Sequence, residues 1–123
     1  MIFVVDDDPD VRDLVEFKLV QAGHEVLTAS NGQDALRLIP DAHAQLILLD
    51  VMMPGLSGFE VLSRLRADEA TRQLPIIMLT AKAQESDAER GFTLGADDYV
   101  IKPFSPRELM NRVNAQLVRV SSP

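Results

Sequence analysis

The chain contains no cysteine, which removes disulfides and thiolate zinc sites from consideration and fits a reducing, cytosolic setting. It also lacks long apolar runs: the longest, at 2–5 and 46–49, fall far short of the roughly 20 residues that a membrane-spanning helix needs. No signal peptide is expected, because Asp6, Asp7 and Asp8 interrupt the N-terminal apolar run. Positive charge is scarce as well, with 12 Lys and Arg against 19 Asp and Glu, a formal charge of -7 and a pI near 4.7. Such a surface repels a phosphate backbone, which argues against nucleic-acid binding by this segment. What remains is an acidic, cytoplasmic globular domain with no membrane role, its 123 residues enough for one core without staples.

Short apolar runs at 2–5, 25–29, 46–49, 76–79 and 99–101 predict five strands. Several are continuous and not alternating, as expected for parallel strands covered on both faces. Helical patterns lie between them. Asp8 followed by Pro9 predicts an N-cap and first helical residue, with Val11, Leu14, Val15 and Leu19 as the inward stripe and Gly23 as the stop. Asn31 opens a second helix that carries Ala35, Leu36 and Ile39 and ends at Pro40. SGFE at 57–60 is a capping-box pattern ahead of Val61, Leu62 and Leu65, and SPRE at 105–108 is another ahead of Leu109, Val113 and Leu117. A helix from about 84 to 94 has the weakest stripe and is ended by Gly95. The alternation predicts an α/β fold, a doubly wound five-stranded parallel sheet of flavodoxin-like order 2-1-3-4-5 with helices on both faces. No repeat or linker interrupts 1–120, which reads as one domain; 121–123 reads as a tail or the start of a linker.

That order sets strands 1 and 3 side by side at the switch point, where open parallel sheets hold ligands beyond the strand C-termini. Asp6 and Asp7 follow strand 1, Asp50 follows strand 3, Thr80 follows strand 4 and Lys102 follows strand 5. Converging carboxylates repel one another and call for a cation. Hard oxygen ligands without His or Cys point to magnesium, with manganese as a substitute. Lys102 offers a fixed positive charge and Thr80 a hydroxyl donor, both suited to phosphoryl oxygens. A carboxylate here can act as a nucleophile and form an aspartyl phosphate, and an ionised one needs no general base. Taken singly each residue has a plainer reading: Asp50 as a loop or cap residue, Asp8 as a cap, Thr80 as a strand former, Lys102 as a surface charge, Tyr99 as a half-buried aromatic, Met52 and Met53 as packing, His24 and His43 as ordinary polar residues. Their conjunction on one edge carries the functional reading.

Four stretches, VVDDDP at 4–9, LLDVMMPG at 48–55, MLTA at 78–81 and GADDYVIKPF at 95–104, together resemble the receiver domain of bacterial two-component response regulators over essentially the whole chain. The resemblance implies that Asp50 is the phosphoacceptor, that Asp7 binds magnesium directly with Asp6 assisting through water, and that the Met52 backbone carbonyl completes the protein ligands. It implies that Thr80 hydrogen-bonds the phosphoryl group, that Ala81 leaves room for it, that Lys102 pairs with it, and that the Lys102–Pro103 peptide is cis. It further implies a sensor histidine kinase as donor and a two-state response in which Thr80 moves and Tyr99 turns into the vacated space. The face of helix 4, strand 5 and helix 5 then changes to act on an output domain or partner.

The run DDY at 97–99 with SPREL at 105–109 is similar to receivers of winged-helix transcription regulators, which implies a phosphorylation-enhanced homodimer. Asp98 and Arg112 fit one cross-subunit pair and Glu108 half of another, although its basic partner would fall at Ala88, with Arg90 as a substitute. Met52 and Lys82 flank the site and are placed to tune the phosphoryl lifetime. Two other classes share parts of the pattern. A haloacid dehalogenase-type phosphatase also pairs aspartates after strand 1, but Asp10 stands where that pattern wants Thr or Val, and no cap domain fits. A flavin carrier would want a Ser, Thr or Gly-rich loop where three aspartates stand. A stand-alone receiver and a receiver within a longer regulator both fit the sequence.

Overall fold

Short runs dominated by Ile, Val, Leu and Phe become parallel strands when both faces of a sheet are covered, and the central runs here are uninterrupted. In a computed structural model, which describes residues 1–81 and 85–121 apart from the side chains of 85–88, 120 and 121, the runs form β1 (Ile2–Val5), β2 (Val26–Ala29), β3 (Leu46–Asp50), β4 (Ile76–Ala81) and β5 (Asp98–Lys102). The sheet is parallel in the order β2-β1-β3-β4-β5. The expected order therefore holds. The strand ends differ from the apolar runs by up to two residues, because backbone pairing carries β3 to Asp50, β4 to Ala81 and β5 to Lys102.

Four helices connect the strands, α1 (Pro9–Gln21), α2 (Gly32–Leu38), α3 (Gly58–Ala67) and α4 (Glu85–Leu94), and α5 (Pro106–Ser121) follows the last strand. Their ends follow local chemistry. Asp8 caps α1 by accepting from the Asp10 and Val11 amides. Gly23, at φ 96°, closes it, with its N–H on the Val20 carbonyl and that of His24 on the Leu19 carbonyl. Gly95, at φ 107°, closes α4 in the same way, through bonds to Phe92 and Gly91. Asn31 caps α2, and Ser57 with Glu60 forms the full reciprocal box at α3. At α5 the Glu108 N–H donates to Ser105 Oγ. Pro40 does not end α2: the helix stops at Leu38 and Pro40 sits inside a 3-10 turn, Ile39–Asp41, since a first-turn proline lacks only an N–H that would go unused. Helix α5 continues through Ser121, whereas Ser122, Pro123, Gln84 and Lys82 lie outside the described residues.

Strand alternation divides the core in two. Phe3, Val5, Ile47, Leu49, Ile76 and Met78 pack with Phe59, Val61, Leu62 and Leu65 of α3. Ile2, Val4, Leu46, Leu48, Ile77 and Leu79 pack with Val15 and Leu19 of α1 and Leu109 and Val113 of α5. Each fully buried aliphatic side chain stabilises by about 1.5–3 kcal/mol relative to exposure. Leu14 does not join this stripe: it is 43% exposed and lines a cleft with Val11, Pro103 and Phe104. The helical period sets it on the flank of the line through Val11, Val15 and Leu19, so it faces the β5–α5 connection instead of the sheet.

Candidate functional site

The C-terminal edge of the sheet receives one chemical group from each of several strands, because each apolar run ends where its polar residue begins. Asp6 is fully buried and Asp50 is 5% exposed, whereas Asp7 lies in the open mouth. Carboxylate oxygens of the three approach within 4.8 Å of one another. The Lys102 ammonium reaches across from β5, 2.8 Å from Asp6 Oδ2 and 3.3 Å from Asp50 Oδ1. The other Asp6 oxygen accepts the Asp8 N–H at 3.0 Å, and the Asp6 carbonyl accepts from Arg12 at 2.8 Å.

One ammonium is thus shared by two buried carboxylates and stands nearer to Asp6. Asp50 is left undercompensated: burial, then the Asp6 charge and the approach of the Asp7 carboxyl, outrun Lys102 and push its pKa up to about 7. For Lys102, burial opposes the charged form, but the hydrogen bond to Asp6 and the charges of Asp50 and Asp6 prevail and hold its pKa above the usual lysine value. The two shifts point the same way because there is more negative charge here than one lysine can balance. Thr80, 3% exposed, pairs with Ile101 in the sheet, and its hydroxyl oxygen is buried with no hydrogen-bond partner among the described residues. An orphaned buried hydroxyl is costly and rare enough to mark a functional position.

Alternation sorts the site by face. Asp50 and Lys102 share the parity of Leu48 and Val100, on the α1 and α5 side, whereas Thr80 and Tyr99 share that of Met78, on the α3 and α4 side. Tyr99 is buried, at 8% exposure, and not half-buried, because its ring lies under α4 against Gly91 and 5.0 Å from the Phe92 ring. Met52 is 61% exposed beside the mouth, and the Lys102–Pro103 peptide is cis. Asp98 and Arg112 are brought together within one chain, at 2.9 and 3.2 Å; Glu108 is exposed, and the Arg90 guanidinium stacks 4.6 Å from the Phe59 ring centroid.

Three contributors escaped sequence reasoning. Gly58 passes so close to Asp50 that an added Cβ would overlap the Asp50 carbonyl and stand 2.8 Å from Val51 Cα, so any larger residue would displace the phosphoacceptor candidate. Arg12 anchors the Asp6 carbonyl, and the Asp8 amide fixes its carboxylate. A glycine directly after a helix cap was the available signal for Gly58; Arg12 left none.

Comparison with known proteins agrees with this geometry. The family model described as response regulator receiver domain matches residues 2–114. The phosphate regulon transcriptional regulatory protein PhoB of Pseudomonas aeruginosa is 50% identical over 118 residues, 96% of this chain and 52% of that protein. The chain therefore spans about half the length of that relative. The receiver domain of Francisella response regulator 1452 superposes with TM-score 0.90 at 34% identity, covering 98% of both chains. The Vibrio cholerae chemotaxis protein CheY4 does so with TM-score 0.87 at 33% identity, covering 93% of this chain and 95% of that one. With the family model matched almost end to end and the acidic edge in place, this chain belongs to the response regulator receiver domain family.

Proposed function

We propose that the chain is a phosphorylation-operated switch of a two-component system, in which Asp50 accepts a phosphoryl group from a sensor histidine kinase or a small phosphodonor. The observation that carries this reading is the undercompensated Asp50 carboxylate beside Lys102, with the unpartnered Thr80 hydroxyl at the neighbouring strand end. An Asp50 oxygen forms the new O–P bond as the donor's bond to phosphorus breaks, N–P in a phosphohistidine or O–P in an acyl phosphate, and the electron pair leaves with the donor imidazole or carboxylate. Asp50 reacts as the carboxylate, so no base has to remove a proton. Lys102, already 3.3 Å from Asp50, lies within reach of the phosphoryl oxygens, and Thr80 gains in them the acceptor that its hydroxyl lacks. The protein's part is positioning and charge neutralisation, as in other phosphoryl transfers.

The donor set fits magnesium, or manganese in its place: hard carboxylate oxygens, surplus negative charge and an open mouth. Asp7, Asp50 and the Met52 carbonyl would hold it directly. Asp6, whose oxygens already serve Lys102 and the Asp8 amide, would assist through water. When bound, magnesium supplies the charge that keeps Asp50 ionised and neutralises incoming phosphoryl oxygens.

Phosphorylation shifts the populations of two conformers through Thr80 and Tyr99 and alters the face of α4, β5 and α5. In a dimer, Asp98 and Arg112 would exchange their intrachain pair for a cross-subunit one, with Glu108 as a further contact. The half-length match to PhoB supports a cytoplasmic receiver that acts on an output domain for transcription regulation. A stand-alone receiver acting by protein contacts is the second reading, favoured by the near-full match to CheY4. In either case the chain transforms only its own phosphoryl group and is no turnover enzyme. Intact mass after incubation with magnesium and acetyl phosphate tests the proposal: one phosphoryl adduct is expected on the wild type, none on Asp50→Asn and none with chelator. An adduct that persists in Asp50→Asn would overturn it.

A further inference from the structure

Gly91 stands in the interior of α4, at a position where its backbone needs no glycine: it carries no positive φ, unlike Gly23, Gly55 and Gly95. Alanine there would favour the helix by roughly 1 kcal/mol. Space explains the glycine instead. A Cβ at Gly91 would overlap the Tyr99 hydroxyl, and it would stand 2.6 Å from Tyr99 Cζ and 3.1 Å from Cε2. The ring that it would strike is buried, at 8% exposure, between the core cluster that contains Met78 and α4, whose Phe92 ring lies 5.0 Å away. The Gly91 carbonyl is meanwhile held by the Ala96 N–H at 2.8 Å as part of the turn that closes α4. That bond ties the helix backbone at the very residue the ring rests on.

We propose that Gly91 is a positioning residue for the switch: by leaving its Cβ out, it admits Tyr99 to the seat beneath α4, and the side-chain volume at position 91 sets how far the tyrosine occupies that seat. The helix gives up intrinsic stability at this point so that an aromatic side chain of the neighbouring strand can enter or leave without a shift of the helix backbone. Any side chain at 91 larger than hydrogen drives the ring toward solvent and holds the α4–β5–α5 face in the corresponding state. This deepens the reading of Tyr99 as the moving element and rests on it.

The chain holds one tyrosine and no tryptophan, so its intrinsic fluorescence reports Tyr99 alone. Acrylamide quenching of the unphosphorylated protein is expected to rise several-fold in Gly91→Ala relative to wild type. Thermal unfolding supplies the independent arm: Gly91→Ala lowers the Tm in the wild-type background but raises it in a Tyr99→Ala background, where the seat is empty and only helix propensity remains. Equal quenching in wild type and Gly91→Ala, or a fall in Tm in both backgrounds, would overturn the proposal. Neither arm requires a phosphoryl group. Absence of an acetyl-phosphate adduct would therefore fault the phosphoacceptor reading and leave these two readouts to judge Gly91 on their own.

Discussion

At the C-terminal edge of the sheet one cation, Lys102, is shared by two buried carboxylates; near the opposite edge one carboxylate, Asp97, is shared by two cations. Arg66 and Arg119 reach the Asp97 oxygens at 2.9 and 2.8 Å, and the Ile76 N–H adds a third bond at 2.8 Å. Arg66 spends three further donors on the carbonyls of Gly95, Arg72 and Leu74. Burial lowers the Arg66 pKa, with Asp97 opposing the shift, and the cluster binds α3, β4, the end of α4 and α5 with its polar groups paired. The same ingredients in inverted ratio yield a compensated cluster at one end and an undercompensated one at the other. Surplus charge on Asp50 and an orphaned hydroxyl on Thr80 are what a purely structural cluster eliminates and what an incoming cation and phosphoryl group would complete.

The contrast can be broken from either side. The largest effect is expected from Asp97→Ala, which strands Arg66 and the Ile76 amide in partly buried positions and should cost about 3 kcal/mol in urea unfolding while the adduct with acetyl phosphate still forms. A loss below about 1 kcal/mol would show that the cluster does not fasten the fold. The reactive edge should respond with the opposite sign. Thr80→Val removes the unpaired hydroxyl at nearly constant volume and is expected to raise stability by about 1 kcal/mol, with phosphorylation kept and the phosphorylation-dependent response weakened. A destabilised variant would mean that the hydroxyl is already satisfied. The smallest effect belongs to Arg112→Ala: its pair with Asp98 is half-exposed on the arginine side, so monomer stability should change by no more than about 0.5 kcal/mol. A larger loss would place the pair in the fold's framework instead of on an adaptable face.

Much of this was legible along the chain. Four of the five strand runs end at a polar residue of the acidic edge, so Asp6, Asp50, Thr80 and Lys102 are placed together by the sequence and the strand order alone. Caps at Asp8, Asn31 and Ser57 are local chemistry, and the structure has all three where the sequence pattern puts them. What escaped depends on partners distant in sequence. The Arg66–Asp97 pair spans 31 residues and leaves no local pattern. Leu14 satisfies the helical period yet faces a cleft formed by the β5–α5 connection. Gly91 is intelligible only once Tyr99 lies against it. Strand ends moved because backbone pairing, and not hydrophobicity, decides where a strand stops.

The surplus charge at Asp50 is open to a direct measurement: unfolding free energy against pH in the absence of divalent cations, with wild type beside Asp50→Asn. The folded pKa of Asp50, about 7, lies above the ordinary 3.8. Its stabilising contribution is therefore full below pH 4, is lost as the pH climbs to about 7, and is flat beyond. Wild type is expected to fall relative to Asp50→Asn by on the order of 2–4 kcal/mol across that window, and magnesium to narrow the gap at the alkaline end. Parallel curves for the two proteins would contradict it, because Asp50 would then be an ordinary, fully compensated aspartate.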